Sequence, residues 1–293
     1  MTGPDQAGRR IVHRTRGHAH GPITRLMSPS DLGQTLKPFV FLDIVSSLNM
    51  KATGMGLHPH SGISTVTVFT DGDTTFDDGE GNTGTIGYGG VEWMRAGRGV
   101  WHGQEIGAGK SPTIDGFQLW LALPAELELA PQESQYLEAS SIPETGPARL
   151  VVGAYAGAQS PVRSWPGVNY LLVTLKPGDT WRYETPAGHT IGWFAVAKGE
   201  VTLDTPVTSG EMVVLDTSDS AIELRSTGKT DATLVIGTAV PHPHDLHLGY
   251  YSVHTSAESL AQGEQHIATL RKKLIEREKL GNRLANGSVP VLR

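Results

Sequence analysis

The chain has 293 residues, 38% hydrophobic and 18% charged, with a formal net charge of −6, 36 glycines and no cysteine. That length exceeds one ordinary hydrophobic core and predicts two domains, while the missing thiols exclude disulfides, Fe–S clusters, thiolate metal sites and cysteine nucleophiles. The acidic balance lacks the basic footprint of a phosphate-backbone binder, no run approaches the roughly 18 apolar residues of a membrane span, and the opening MTGPDQAGRRIVHRTRG has no apolar signal region, so the expectation is a cytoplasmic protein with neither direct nucleic-acid binding nor membrane insertion.

From about Ile11 to Leu123, short apolar runs alternate with glycine-rich turns: FVFLDIV, STVTVF, TIGYGGVEWM and FQLWLALP. This rhythm predicts an all-β barrel or sandwich. The polar, proline-containing stretch from Pro131 to Arg149 interrupts it and sets the expected boundary between domains 1–135 and 136–254. The second half repeats the pattern in YLLVTLKPGDTWRY, TIGWFAVAKGEVTL, GEMVVL and TLVIGTAV. After Val253 the period changes. Thr255 and Glu258 have capping-box spacing, and Leu260, Ile267, Leu270 and Leu274 share one face, which predicts a terminal helix over 255–281 packed on a barrel.

Twelve histidines in a cysteine-free chain direct attention to spacing. In HPHSG, His58 and His60 stand two apart and project from the same strand face, near enough to grip one ion. AGRGVWHGQ then supplies His102, with Gln104 two positions on. Three neutral imidazoles and one oxygen donor suit a divalent first-row metal, although a single H-x-H in a loop is more often a solvated turn. Glu105 is the other acidic candidate, but strand alternation points it away from His102 unless Gly103 permits a bulge. The second H-P-H, in HPHDLH from His242 to His247, falls where a linker belongs and reads as a solvated connection, with adventitious metal binding as the alternative. His13, His18 and His20 read as surface residues. Trp93, Trp101 and Trp120 read as core, or as an apolar wall for a flat aromatic ligand if they line a barrel mouth.

HPHSGISTVTV, VEWMRAGRGVWH and GFQLWLALP together resemble the pirin family of the cupin superfamily, a likeness running from about Phe39 to Tyr136 and returning faintly in the second half. The resemblance implies an all-β chain of two cupin (jelly-roll) barrels in tandem with a C-terminal helix. It implies one metal in the N-terminal barrel, commonly iron, with nickel, copper, manganese or zinc as alternatives, held by His58, His60 and His102. The family's glutamate ligand falls on Gln104, which keeps an oxygen donor but removes one negative charge and so disfavours a ferric state. The second barrel, with its lone His189, is expected to be metal-free. Ser61, Ser64 and Gly90 stand where the family usually has Arg, Glu and Asp, which reads as lost support around the metal. Three functions remain open on these grounds: a quercetin 2,3-dioxygenase-like oxygenase acting on a small flavonol-type aromatic substrate, a non-catalytic metal-bound regulator acting through a protein partner, and a degenerate cupin without metal.

Overall fold

The computed structural model describes residues 8–53, 56–78, 81–103 and 105–281. It is all-β apart from short helical turns and one long C-terminal helix, Ala257–Gly281. Among the described residues no helix is long and apolar enough to cross a membrane.

The chain forms two compact units: Met1–Leu26 with Ser140–Pro241, and Met27–Ala139 with His242–Arg293. This differs from the linear division at 135/136, because each unit takes in a segment from the far end of the chain. In the first unit, strand Ile11–Thr15 pairs antiparallel with Glu211–Leu215 and becomes the edge of a seven-stranded sheet. Arg14 and Arg16 both reach Glu211, at 3.0 and 3.3 Å. Buried Arg9 donates through Nη2 to the carbonyls of Thr190 and Asp216. An edge strand's partner is set by backbone hydrogen bonds, which leave no trace in local apolar rhythm.

The core of this unit lies between that sheet and a four-stranded one. Leu171, Val173, Phe194, Val213 and Leu234 from the large sheet pack with Trp181, Tyr183, Val201, Ile222 and Leu224 from the small one. Alternation drives the arrangement: Ile222–Ser226 buries every second residue.

In the other unit the main sheet includes, in order, Glu133–Leu137, Val91–Arg95, Ile63–Asp71, Ile114–Ala122 and Phe39–Leu48. Leu48, Phe69 and Ile114 from this sheet pack with Phe76, Ile86 and Ile106 from a three-stranded sheet. Two small ribbons complete the unit: His58–His60 with Val100–His102, and His247–Gly249 with Ser252–His254.

The closing helix begins at Ala257, with Ser256 rather than Thr255 as its cap, one residue later than the capping-box reading predicts. Ser256 Oγ accepts from Ser259 N at 3.1 Å, whereas the Thr255 hydroxyl is drawn away to Glu128 Oε2, also at 3.1 Å. The predicted apolar stripe holds, with Ile267, Leu270 and Leu274 buried.

Candidate metal centre

Pairing of the two short strands sets the site. In their antiparallel register His102 lies opposite His58, and Val100 opposite His60. Since His58 and His60 share a face by alternation, the cross-strand pairing adds His102 to that face. The imidazole centroids are 4.5 Å apart for His58 and His102, 4.9 Å for His58 and His60, and 5.1 Å for His60 and His102. One ligand atom from each falls within 4.8 Å of the others. Gly103 follows at φ 126°, and a Cβ there would stand 2.6 Å from the Gly56 carbonyl oxygen, so glycine is required as the chain leaves the ribbon.

Hydrogen bonds fix the rings. His58 Nδ1 is 2.7 Å from the Gly56 carbonyl and His60 Nδ1 is 3.1 Å from the Tyr251 carbonyl. A carbonyl only accepts, so in each ring Nδ1 carries a proton and Nε2 is the nitrogen left to offer a lone pair to a metal. His60 Nε2 and His102 Nε2 are buried with no hydrogen-bond partner among the described residues. Such atoms are costly unless satisfied, and a metal ion would satisfy both. Burial, reinforced by the neighbouring His58, lowers the His60 pKa to about 3. Burial and the other two imidazoles likewise hold His102 well below the ordinary histidine range. The neutral form that results is the one a metal needs.

Aromatic groups border the cluster. The Trp120 ring meets His60 edge-on at 4.8 Å, with Phe41 stacked on it at 3.9 Å. Tyr251, at φ 55°, lies 5.9 Å from both His58 and His60, and its side is open to solvent. Of the three tryptophans singled out in the sequence, Trp120 borders the site, Trp93 is buried core, and Trp101 turns to the closing helix.

Behind the ligand ribbon lies a buried polar chain that the sequence reading missed. Ser252 Oγ donates to the Tyr250 carbonyl, so Ser61 Oγ donates to Ser252 at 2.9 Å and His254 Nε2 donates to Ser61 at 2.9 Å. His254 Nδ1 is 3.7 Å from Glu128 Oε2. Ser61, read as a loss beside the metal, is thus a structural contact joining the HPH strand to the C-terminal hairpin. Its partners lie 191 and 193 positions away, so local spacing carried no signal.

Gln104 lies outside the described residues. Glu105 is buried, and its Oε2 accepts from the Gly103 amide at 2.8 Å. Among the described residues the cluster that could hold a metal comprises the three histidines, without Glu105. Glu92 is also buried and stands under the influence of Glu105; burial first, then that charge, push its carboxyl up to about 7, against a hydrogen bond from Thr67. Gly90 leaves no room for an acidic side chain, since a Cβ would meet Ile86 Cγ2 at 2.3 Å. Ser64 Oγ is buried without a partner among the described residues.

The HPHDLH reading needs correction. His242 is buried, with Nε2 3.2 Å from the Leu123 carbonyl, and His247 belongs to a short strand, so only part of the segment is a solvated connection. His13, His18 and His20 are exposed, as read. His189 lies in the other unit.

An all-β tandem chain with an imidazole cluster on one barrel and a closing helix behind it defines a cupin-type scaffold. Residues 20–121 match the Pirin family model. A Pseudomonas aeruginosa protein provisionally named a quercetin 2,3-dioxygenase is 29% identical over 236 residues, covering 76% of this chain and 82% of that protein. A pirin-like protein of Solanum lycopersicum is 33% identical over 182 residues, 61% of each chain. A crystal structure of quercetin 2,3-dioxygenase from Acinetobacter baumannii superposes with a TM-score of 0.74 at 26% identity, over 94% of this chain and 98% of that one.

Proposed function

We propose that this chain is a metal-dependent dioxygenase acting on flavonol-type aromatic substrates, with His58, His60 and His102 holding one divalent metal and Gln104 completing or orienting its ligands. The observation that carries the reading is the convergence of three imidazoles, two of them with a buried Nε2 that no group among the described residues satisfies. The names of its quercetinase relatives support the substrate class. An N/O ligand set without thiolate suits iron, nickel, copper, manganese or zinc, and iron is the first to test. When bound, the metal supplies Lewis acidity toward a substrate hydroxyl oxygen and redox capacity toward dioxygen.

The chain's own residues bind and orient. The Tyr251 carbonyl holds the His60 ring, so its Nε2 meets the ion without rotational loss. Trp120, backed by Phe41 and buried in the core, packs edge-on to His60 and helps hold that ring in place.

Metal analysis of the untagged protein, followed by oxygen uptake with a flavonol panel, tests the reading. About one metal per chain is expected, lost in His102→Ala together with any flavonol-dependent oxygen consumption. A fully metallated protein that consumes no oxygen with any flavonol would overturn the oxygenase and leave the metal-bound regulator. Failure to take up metal after anaerobic reconstitution would leave the scaffold alone.

A further inference from the structure

The unit comprising Met1–Leu26 and Ser140–Pro241 contains a cavity of about 270 Å³. It is lined in part by Gln159, Ser160, Ser164, Trp165, Asn169 and His189, and among the described residues no Lys, Arg, Asp or Glu contributes to its wall. By volume it holds roughly nine waters, enough for a ligand of one or two rings.

A chain of buried polar groups leads to it. Asn169 Nδ2 donates to Tyr183 Oη at 3.0 Å. Tyr183, its pKa pushed up to about 12 chiefly by burial, keeps its proton and donates to Thr238 Oγ1 at 2.9 Å. Thr238 Oγ1 in turn stands 3.2 Å from His189 Nδ1. With Nδ1 turned to Thr238, Nε2 is the ring nitrogen left to meet a ligand. Burial lowers the His189 pKa, which keeps the ring neutral. Nε2 makes no hydrogen bond among the described residues and is not sealed off from solvent, unlike the buried Ser164 Oγ on the same wall, which also lacks a partner.

Asn169, Tyr183, Thr238 and His189 form a run of buried polar side chains in a barrel whose core cluster is otherwise largely apolar, an expensive arrangement unless each group is paired. It does one specific thing here: it holds the orientation of a histidine at a cavity wall, with Nδ1 turned to Thr238. We propose that this cavity is a second ligand site, independent of the metal centre, that takes a small neutral planar molecule carrying a hydroxyl, with the hydroxyl hydrogen-bonded to His189 Nε2 and the ring against Trp165.

The test uses the full-length protein with p-cresol and its isostere p-xylene, which differs by replacing the hydroxyl with a methyl, followed through the amide NMR signals of Gly153 and Gly167. Saturable shifts are expected with p-cresol, and binding of p-xylene about tenfold weaker, the worth of one hydrogen bond that would otherwise be left unmade. His189→Leu should bring the two probes to equal affinity. Ser164→Phe, which fills the cavity without touching the polar run, should abolish both and remains informative if His189→Leu does not fold. His102→Ala should leave these shifts unchanged, which separates this site from phenol binding at the metal centre. No saturable shift at either glycine, equal affinity of the two probes in the unaltered protein, or shifts that survive Ser164→Phe would overturn the proposal.

Discussion

Glu92 gives the clearest residue-scale consequence. Its carboxyl is raised from an ordinary value of 4.5 to about 7, so the folded chain retains a proton that the unfolded chain releases between those two values. Stability from this group is therefore fully present below about pH 4.5 and is lost as pH rises through 7. Each tenfold gain in proton affinity on folding is worth about 1.4 kcal/mol, so the total is at most roughly 3 kcal/mol. Glu92→Gln keeps an acceptor for Thr67 and removes the charge, so it should raise stability at pH 8 by about 1–3 kcal/mol and flatten the decline between pH 5 and 8. Urea denaturation at the two pH values checks this; a variant no more stable than the parent at pH 8 refutes it. At the same scale, the histidine cluster was legible because alternation and an antiparallel register are regular: H-x-H fixes one face, and the third ligand needs only an opposing strand. Ser61, His254 and Glu128 were not legible, because three polar residues at separations of 67 to 193 positions carry no periodicity, and only the folded chain brings them into contact.

At the scale of elements, the closing helix acts as a buttress for the ligand ribbon. Trp101, pointing away from His102, donates from Nε1 to the Ile267 carbonyl at 3.0 Å and packs with Leu57 against Leu270 and Leu274. Gly263 lies where the helix meets the polar chain, and a Cβ there would stand 2.6 Å from Ser61 Oγ and 2.8 Å from His254 Nε2. In an open helix Gly→Ala stabilises by about 0.5–1 kcal/mol. Here both neighbours are buried and tied by hydrogen bonds, so overpacking at about 1–3 kcal/mol outweighs that gain. Gly263→Ala should accordingly lower thermal stability and, by displacing Ser61 beside His60, reduce the metal retained through dialysis. A variant with raised stability and unchanged metal content would show that the helix merely covers the ribbon. The helix's existence and apolar stripe were legible from its 3.6-residue period; its first residue was not, because Glu128, distant in sequence, competes for Thr255 and leaves the cap to Ser256.

At the scale of the whole molecule, duplication was legible from the repeated strand rhythm, while the allocation of chain ends was not. Strand Ile11–Thr15 and the segment after Pro241 each join the unit far from them in sequence, and pairing preference at a sheet edge is a property of the folded backbone. That allocation makes a prediction about metal removal. All three candidate histidines belong to the unit of Met27–Ala139 and His242–Arg293, so binding can stabilise that unit directly but supplies no ligand atom to the other. At free metal one hundred times the dissociation constant, the gain is about 2.7 kcal/mol. For a domain of this size each kcal/mol moves the melting temperature by roughly 2–4 °C, so a chelator should lower one transition by about 5–10 °C. Amide exchange assigns it: protection should fall in Ile63–Asp71 and hold in Val168–Leu175, the corresponding central strands of the two units. If protection falls equally in both strands, the units unfold as one and the metal stabilises the whole chain; if it falls in neither, the three histidines do not hold the ion.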